Sequence, residues 1–486
     1  MGVVQRGNAV LGALLGELAW SPSSLAEGVN GLLGPGYVGR STVSDWLHYD
    51  RLPRGPLPTV VAHLISDALG REVCLDELWS GRATPAQLWV PADAGMVVPW
   101  TAAGTVGVLD DWLRRTGGAI GMDRRNFLAV SGGALTAPAW AYADQLGTRG
   151  GSFAALVEGG RTMTVTSAVV DTVATTTAGL AALIDAEGGH HDNLRLVHHH
   201  LMYVARLLRQ ASFTHRAVAD RLLVEWAQLS RLAGWVAHDT GENGLAQRYF
   251  TSGLHAAHTA GDRTVGVYLL VGMSSTTVYR GRLADGIDLG RASRDAVELA
   301  NAAYEVARSA PAAVRALAAS RFALAQAAAG NTRGFHAAVD EARALLDTPG
   351  ALDVLPPYLT WFGPAALENL FAKGALTLAA VTSRENHRLL DGADVILGRT
   401  TTDPASSPRA AVMDAAWLAR AHVAAGDLDR AVPAGLTALR RLSTVRSRHC
   451  TLVLRRLEAD LAALPPTHRP AAVRSLQDRL SATHAA

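Results

Sequence analysis

Five histidines within a short stretch, His190, His191 and His198 to His200, are the densest group of side chains able to ligate a metal or carry a proton. Protein zinc sites add cysteine, or set two histidines four apart around a glutamate so that both rings share one helix face with a base between them. Neither pattern accompanies these histidines. They are expected to ride a solvated helix face, and no metal site is expected. Cys74 and Cys450 lie far apart in helical contexts, so neither a disulfide framework nor a zinc site is expected and the compartment reads as reducing cytoplasm. Aspartates and glutamates are scattered without pairing; no glycine-rich phosphate loop follows a strand, and no Gly-x-Ser-x-Gly elbow occurs. With no catalytic residue and no cofactor expected, the remaining chemistry is recognition by aromatic, imidazole and guanidinium groups.

Trp235, His238 and Tyr268 are three such groups, too large or too polar for packing alone. The elements that would position them are legible in the run from Leu229 to Asp262. Leu229, Leu232, Ala233 and Val236 follow the i, i+3, i+4, i+7 spacing of an amphipathic helix, and Gly241-Glu242-Asn243-Gly244 stops it. A second helix buries Ala246, Tyr249, Phe250, Gly253 and Ala257, and Gly261 ends it, since glycine takes the left-handed terminal conformation without steric cost. Small residues at Ala246, Gly253, Ala256 and Ala257 allow helix axes to approach to roughly 8–10 Å.

The hairpin repeats. Val267, Leu270, Val271, Ser274 and Val278 begin the next copy; a helix from about Pro311 breaks at Gly330-Asn331 and resumes to Leu346; a helix ending near Gly374 precedes one through Arg388 to Leu397; the last clear copy hinges at Gly426-Asp427. Hinge glycines at 241, 281, 330, 374 and 426 lie 40, 49, 44 and 52 residues apart, longer than the roughly 34 of a strict tetratricopeptide repeat. The expected architecture is all-α, with an α-solenoid over residues 151–486. Each pair buries its apolar face on its neighbours and leaves a concave surface free, so Trp235, His238 and Tyr268, on first helices, form the expected ligand or partner surface.

At 486 residues, with 49% apolar and 18% charged residues, the chain is long enough for a small domain plus a repeat array and apolar enough to fold. Lys373 is its only lysine. Residues 1–82 read as a separate helical domain. Val10, Leu11, Leu14, Leu15 and Leu18 form a first amphipathic helix; Ser21 or Ser23 caps a second through Leu25, Ala26 and Val29; a glycine-rich turn at Gly34 to Gly39 leads to a third from about Ser41 to His48. Helices at Leu57 to Leu69 and Leu75 to Trp79 make five. Residues 83–150 read as a linker with tryptophan anchors Trp89 and Trp100. Within it, Asp123-Arg124-Arg125-Asn126-Phe127-Leu128 and the following apolar run would be an export signal at a chain start; in this internal place they read as a connecting segment. The run is shorter than the roughly 20 residues that a membrane-spanning helix needs, and no membrane contact is expected.

Leu25-Ala26, Val43-Ser44-Asp45-Trp46 and Leu52-Pro53 resemble the packing signature of Xre-type, lambda-repressor-like helix-turn-helix domains. With the Arg-Arg-x-Phe-Leu segment and the Gly234–Phe250 and Ala260–Arg263 stretches, most of the chain resembles actinobacterial Xre-family regulators with tetratricopeptide-like C-terminal repeats. The resemblance implies a cytoplasmic transcriptional regulator of development or secondary metabolism. Its partners would be double-stranded DNA, a peptide, small molecule or protein on the solenoid, and a second copy if the solenoid dimerises. It also implies that Arg40, Ser41, Thr42, Ser44, Asp45 and His48, pointing away from Val43, Trp46 and Leu47, face the bases while Arg51 and Arg54 hold phosphates. Charge argues for an alternative: residues 1–82 carry six arginines against eight carboxylates, a net −2. DNA affinity draws on neutralising phosphates, so an interaction scaffold with a domain that no longer binds DNA is the competing expectation.

Overall fold

The computed structural model describes residues 7–33, 36–49, 51–53, 57–69, 73, 78–79, 98–116, 129–146, 153, 163–283, 289–382, 386–402 and 406–485. Among them, twenty α-helices carry the structure, and the strands are two two-residue segments, β1 (Thr164–Val165) and β2 (Ser212–Phe213), paired in parallel. The chain is all-helical in substance. It divides into two compact units, one of residues 1–94 with 121–129 and one of residues 95–120 with 130–486.

The smaller unit contains α1 (Ala9–Glu17), α2 (Pro22–Leu33), α3 (Arg40–Tyr49) and α4 (Leu57–Leu69). Helix α2 starts as its sequence predicts. Ser21 Oγ accepts the Ser24 N–H at 3.0 Å, Ser24 Oγ accepts the Ser21 N–H at 3.3 Å, and Pro22 fills the first helical position, where no N–H is needed. The turn into α3 is held by Asn30, whose side-chain amide bonds both the N–H and the C=O of Val38 at 2.8 and 2.9 Å. Leu25, Ala26, Val29, Val43 and Trp46 join Val60, Val61, Ile65 and Trp79 in one core, where Trp46 meets Trp79 edge to face at 6.4 Å. Of the expected fifth helix only Leu78 and Trp79 lie among the described residues, and both are buried.

Two helices from the stretch expected as a linker pack into the larger unit: α5 (Ala102–Thr116) and α6 (Gly133–Gln145). Trp100 stacks on His255 at 4.0 Å, Trp112 stacks on Tyr249 at 4.6 Å, and Gln247 bonds the backbone N–H and C=O of Val130 at 2.8 and 3.0 Å. A short helix at Val106 to Arg115 is legible in the sequence and corresponds to α5, whereas α6 is not, because its apolar face is completed by the helices Asn243–Ala260 and Leu289–Ala307. Trp89 and the Asp123–Leu128 segment lie outside the described residues.

The rest of this unit is a series of helices: α7 (Ser167–Glu187), α8 (His191–Gln210), α9 (Arg216–Asp239), α10 (Asn243–Ala260), α11 (Arg263–Leu283), α12 (Leu289–Ala307), α13 (Ala312–Ala328), α14 (Thr332–Leu346), α15 (Pro364–Val381), α16 (Asn386–Thr402), α17 (Pro408–Ala424), α18 (Leu428–Leu442), α19 (Arg448–Ala462) and α20 (Ala471–Ala485). Sequential pairs pack together, and each odd-numbered helix from α7 to α17 packs on the next odd-numbered one. Helix α17 also returns to α7, so these six helices form a ring; the Ser407 hydroxyl seals the joint by donating to the Asp185 carbonyl at 2.8 Å.

The hinge glycines divide into two kinds. Gly241, Gly330 and Gly426, with Gly261, have φ between +71° and +87°, a region where side chains are strained. Gly374 and Gly281 lie inside α15 and α11, so the expected break near Gly374 is not there. Gly374 instead admits the Phe335 ring, which a Cβ would approach to 2.7 Å. Helix α7 is long and apolar enough to cross a membrane by length and composition, but its apolar stripe, Val170, Val173, Leu180 and Ile184, is buried within this unit. The histidine face is also mixed: His199 is exposed, whereas His198 is buried with Nδ1 2.7 Å from the Tyr249 hydroxyl. Its neighbours on α8, Leu194, Val197 and Leu201, carry it inward.

Candidate functional site

The ring of helices surrounds a cavity of about 2040 Å³, well above the roughly 300–1,000 Å³ of common small-molecule sites. Trp235, His238 and Tyr268 all line it. Helix α9 contributes Glu225, Gln228, Arg231, Trp235 and His238 from one face, a progression of three and four residues that one helical stripe requires.

Each of the three has a different setting. Trp235 stands over the Arg409 guanidinium at 5.2 Å and meets the Tyr279 ring edge to face at 6.4 Å. Tyr268 stacks on Tyr358 at 5.7 Å, accepts the Trp361 indole N–H at 3.2 Å, and has the Arg231 guanidinium 4.2 Å above its ring. His238 is the most enclosed, only 1% exposed, with Nδ1 2.9 Å from Asn243 Oδ1 and its ring 4.1 Å from that of His449. Burial holds its pKa well below the ordinary histidine value, so it is a neutral wall group rather than an open platform.

Beside His238 lies a fully buried carboxylate, Asp239. It takes both arms of the Arg409 fork at 2.6 and 3.0 Å, the Ser447 hydroxyl at 2.8 Å and the Gly189 N–H at 2.8 Å, with His449 Nδ1 3.3 Å away. Desolvation opposes its charge, but Arg409 and His449 outweigh it and hold the carboxyl far below the usual range. Thus the turn before α8, the end of α9 and the starts of α17 and α19 meet at one charge.

Sequence reasoning missed the arginines of this chamber. Arg231, Arg282, Arg321 and Arg409 all line it, and Tyr279 stands within electrostatic reach of the last three. Arg282 lies 3.7 Å over the Trp417 ring and donates to the Thr377 hydroxyl at 2.7 Å; burial lowers its pKa to about 9. Burial likewise lowers that of Arg321. On the opposite sign, Asp185 and Glu225 are raised by burial, and Glu225 leaves one oxygen without a partner. One signal was available in the sequence: the small apolar run from Ala312 to Ala328 carries two arginines, Arg315 and Arg321, six residues apart and so on different faces of the helix, of which Arg315 is exposed.

On the smaller unit, Arg40, Ser41, Thr42 and His48 are exposed on α3, while Ser44 and Asp45 are half-buried. Asp45 accepts a 2.7 Å ion pair from Arg51, which also approaches the Tyr49 ring at 5.8 Å. Arg54 lies outside the described residues. Comparison with protein-family models, with curated proteins and with solved structures finds no match to this chain.

Proposed function

We propose that this protein is a cytoplasmic DNA-binding transcriptional regulator. Its smaller unit is a lambda-repressor-like helix-turn-helix domain of the Xre type, and its larger unit a tetratricopeptide-like sensor that takes its effector into the central chamber. The observation that carries the DNA assignment is the division of α3. Val43 and Trp46 anchor one side in the core, and Arg40, Ser41, Thr42 and His48 stand free on the other. That is the arrangement a recognition helix needs, with donors and acceptors on an exposed face of a rigid element. The chamber supports the sensor half, since a space of this size with mixed aromatic and charged walls suits a ligand rather than a core.

A scaffold whose helix-turn-helix docks partners without DNA is the second reading. The net charge of −2 over residues 1–82 and the Asp45–Arg51 pair favour it, because both reduce the field offered to phosphates. Selection of genomic DNA fragments by the purified full-length protein at two salt concentrations separates the two. Enrichment of one motif, weakening as salt rises, is expected for the regulator; no enrichment at low salt overturns it in favour of the scaffold.

A further inference from the structure

A cation facing a cavity without a counter-charge is costly to keep. Its desolvation is normally offset by a carboxylate, as Asp239 offsets Arg409 on the same wall. Arg231 and Arg321 have no such partner. Among the described residues neither donates to a carboxylate, and the Nε of each is enclosed without a hydrogen-bond acceptor. The two lie close enough to repel, and both adjoin Tyr268, on whose ring Arg231 rests. Arg282, the next cation of the chamber, spends one N–H on the Thr377 hydroxyl and otherwise faces Trp417.

The acids that line the chamber form no ion pair with Arg231 or Arg321 among the described residues, and Asp220 lies 3.7 Å from Arg216. Glu368 pairs with Arg343 at 2.7 Å, Asp414 with Lys373 at 3.1 Å, and Asp262 caps α11 by accepting the Val265 N–H at 3.0 Å. Glu225 accepts the Gln228 amide at 3.0 Å on one oxygen and leaves the other enclosed without a partner, so it forms no ion pair with Arg231 or Arg321 among the described residues. Asp185 is near enough to Arg231 to feel its charge, yet forms no ion pair with it among the described residues. The chamber therefore leaves the Arg231 and Arg321 guanidinium groups without a counter-charge on a common space, with the Tyr268 face fixing the plane of Arg231. Guanidinium forks match phosphate and carboxylate oxygens in geometry and charge.

We propose that Arg231 and Arg321 form a binding site for a multiply charged oxyanion group, phosphate or clustered carboxylates, carried by the small molecule that occupies this chamber, whose wall Arg282 also lines. The assignment rests on the reading of the chamber as the effector site, and names the chemistry that the effector presents. Two unneutralised guanidinium groups on one face are matched by two negative charges within one group rather than by a single carboxylate. The chamber volume leaves room for the remainder of the molecule.

The test is calorimetric titration of the full-length protein with pyrophosphate and, separately, with citrate, in phosphate-free buffer. Saturable binding of pyrophosphate identifies a phosphoryl group, and of citrate alone a carboxylate cluster. Arg321→Met and Arg231→Met should each weaken that binding by about tenfold or more, the loss expected for one charge-assisted contact. Arg308→Met, an exposed residue outside the chamber, should leave it unchanged. Melting curves supply a second readout: without any probe, Arg321→Met should melt at or above the native temperature, because an unneutralised cation has been removed. Absence of binding by both probes, binding by the two chamber variants as tight as by the native protein, or a lower melting point for Arg321→Met overturns the proposal. Failure of the regulator reading looks different: the probe binds in an Arg321-dependent way, yet no DNA motif is selected.

Discussion

At the scale of single residues, the buried imidazoles set the response to acid. Burial pulls His198 down to about 4 and His255 to about 3, so both are neutral in the folded protein at pH values where an unfolded chain protonates them. Their contribution to stability is complete above the ordinary histidine pKa of 6.5. It is lost as pH falls from there toward about 4 for His198 and about 3 for His255, at up to about 1.4 kcal/mol per pH unit for each ring. Asp239 adds to the loss at lower pH, since its depressed pKa means that its stabilisation disappears only below the ordinary aspartate value of 3.8. Urea unfolding at a series of pH values should therefore show stability declining from pH 6.5 downward; a flat profile between pH 6.5 and 4.5 would remove the buried neutral histidines from the account.

Asp45 gives the second residue-scale prediction, which belongs to the proposed DNA function. It neutralises Arg51 at 2.7 Å, and its own charge repels phosphate. Asp45→Asn should tighten DNA binding and steepen the dependence of log affinity on log salt by about one unit, as one more phosphate contact becomes available. Binding measured by fluorescence anisotropy across salt decides it, and an unchanged slope would mean that Arg51 does not face the backbone.

Among the elements, α15 shows how a glycine can be read for the wrong purpose. A glycine near an expected helix end suggests a hinge, but Gly374 sits within Pro364–Val381 and receives the Phe335 ring of α14. Local sequence cannot separate these roles, because the ring that needs the space lies in another helix. Gly374→Ala should destabilise the protein by about 1–3 kcal/mol through overpacking, despite the better helix propensity of alanine. Thermal denaturation checks the sign; stabilisation would restore the hinge interpretation. Helix α3 is the opposite case. Its extent, within one residue at each end, and its core side followed from Val43 and Trp46, while Ser44 and Asp45, expected on the free side, are half-buried.

For the larger unit as a whole, the closing of the ring is the governing fact. A linear stack of helix pairs gains stability only between neighbours, whereas here Asp239 joins elements that are some 170 and 208 residues apart in sequence through Arg409 and Ser447. Asp239→Asn should cost about 3–5 kcal/mol, because it leaves the Arg409 charge buried without its partner. Hydrogen exchange should then speed up together at the end of α9 and the starts of α17 and α19. Faster exchange confined to α9 would show that the joint does not couple them.

The sequence by itself determined that the protein is helical, where most hairpins turn, which side of α3 packs, and that Trp235, His238 and Tyr268 belong to an inner surface, because periodicity and helix-ending glycines act within a few residues. Only tertiary structure decided that α5 and α6 belong to the larger unit, that the inner helices close into a ring, and that Arg231, Arg282 and Arg321 meet across one chamber. Those outcomes depend on charges and rings brought together from helices scores of residues apart, and no local pattern records which of them will face one another.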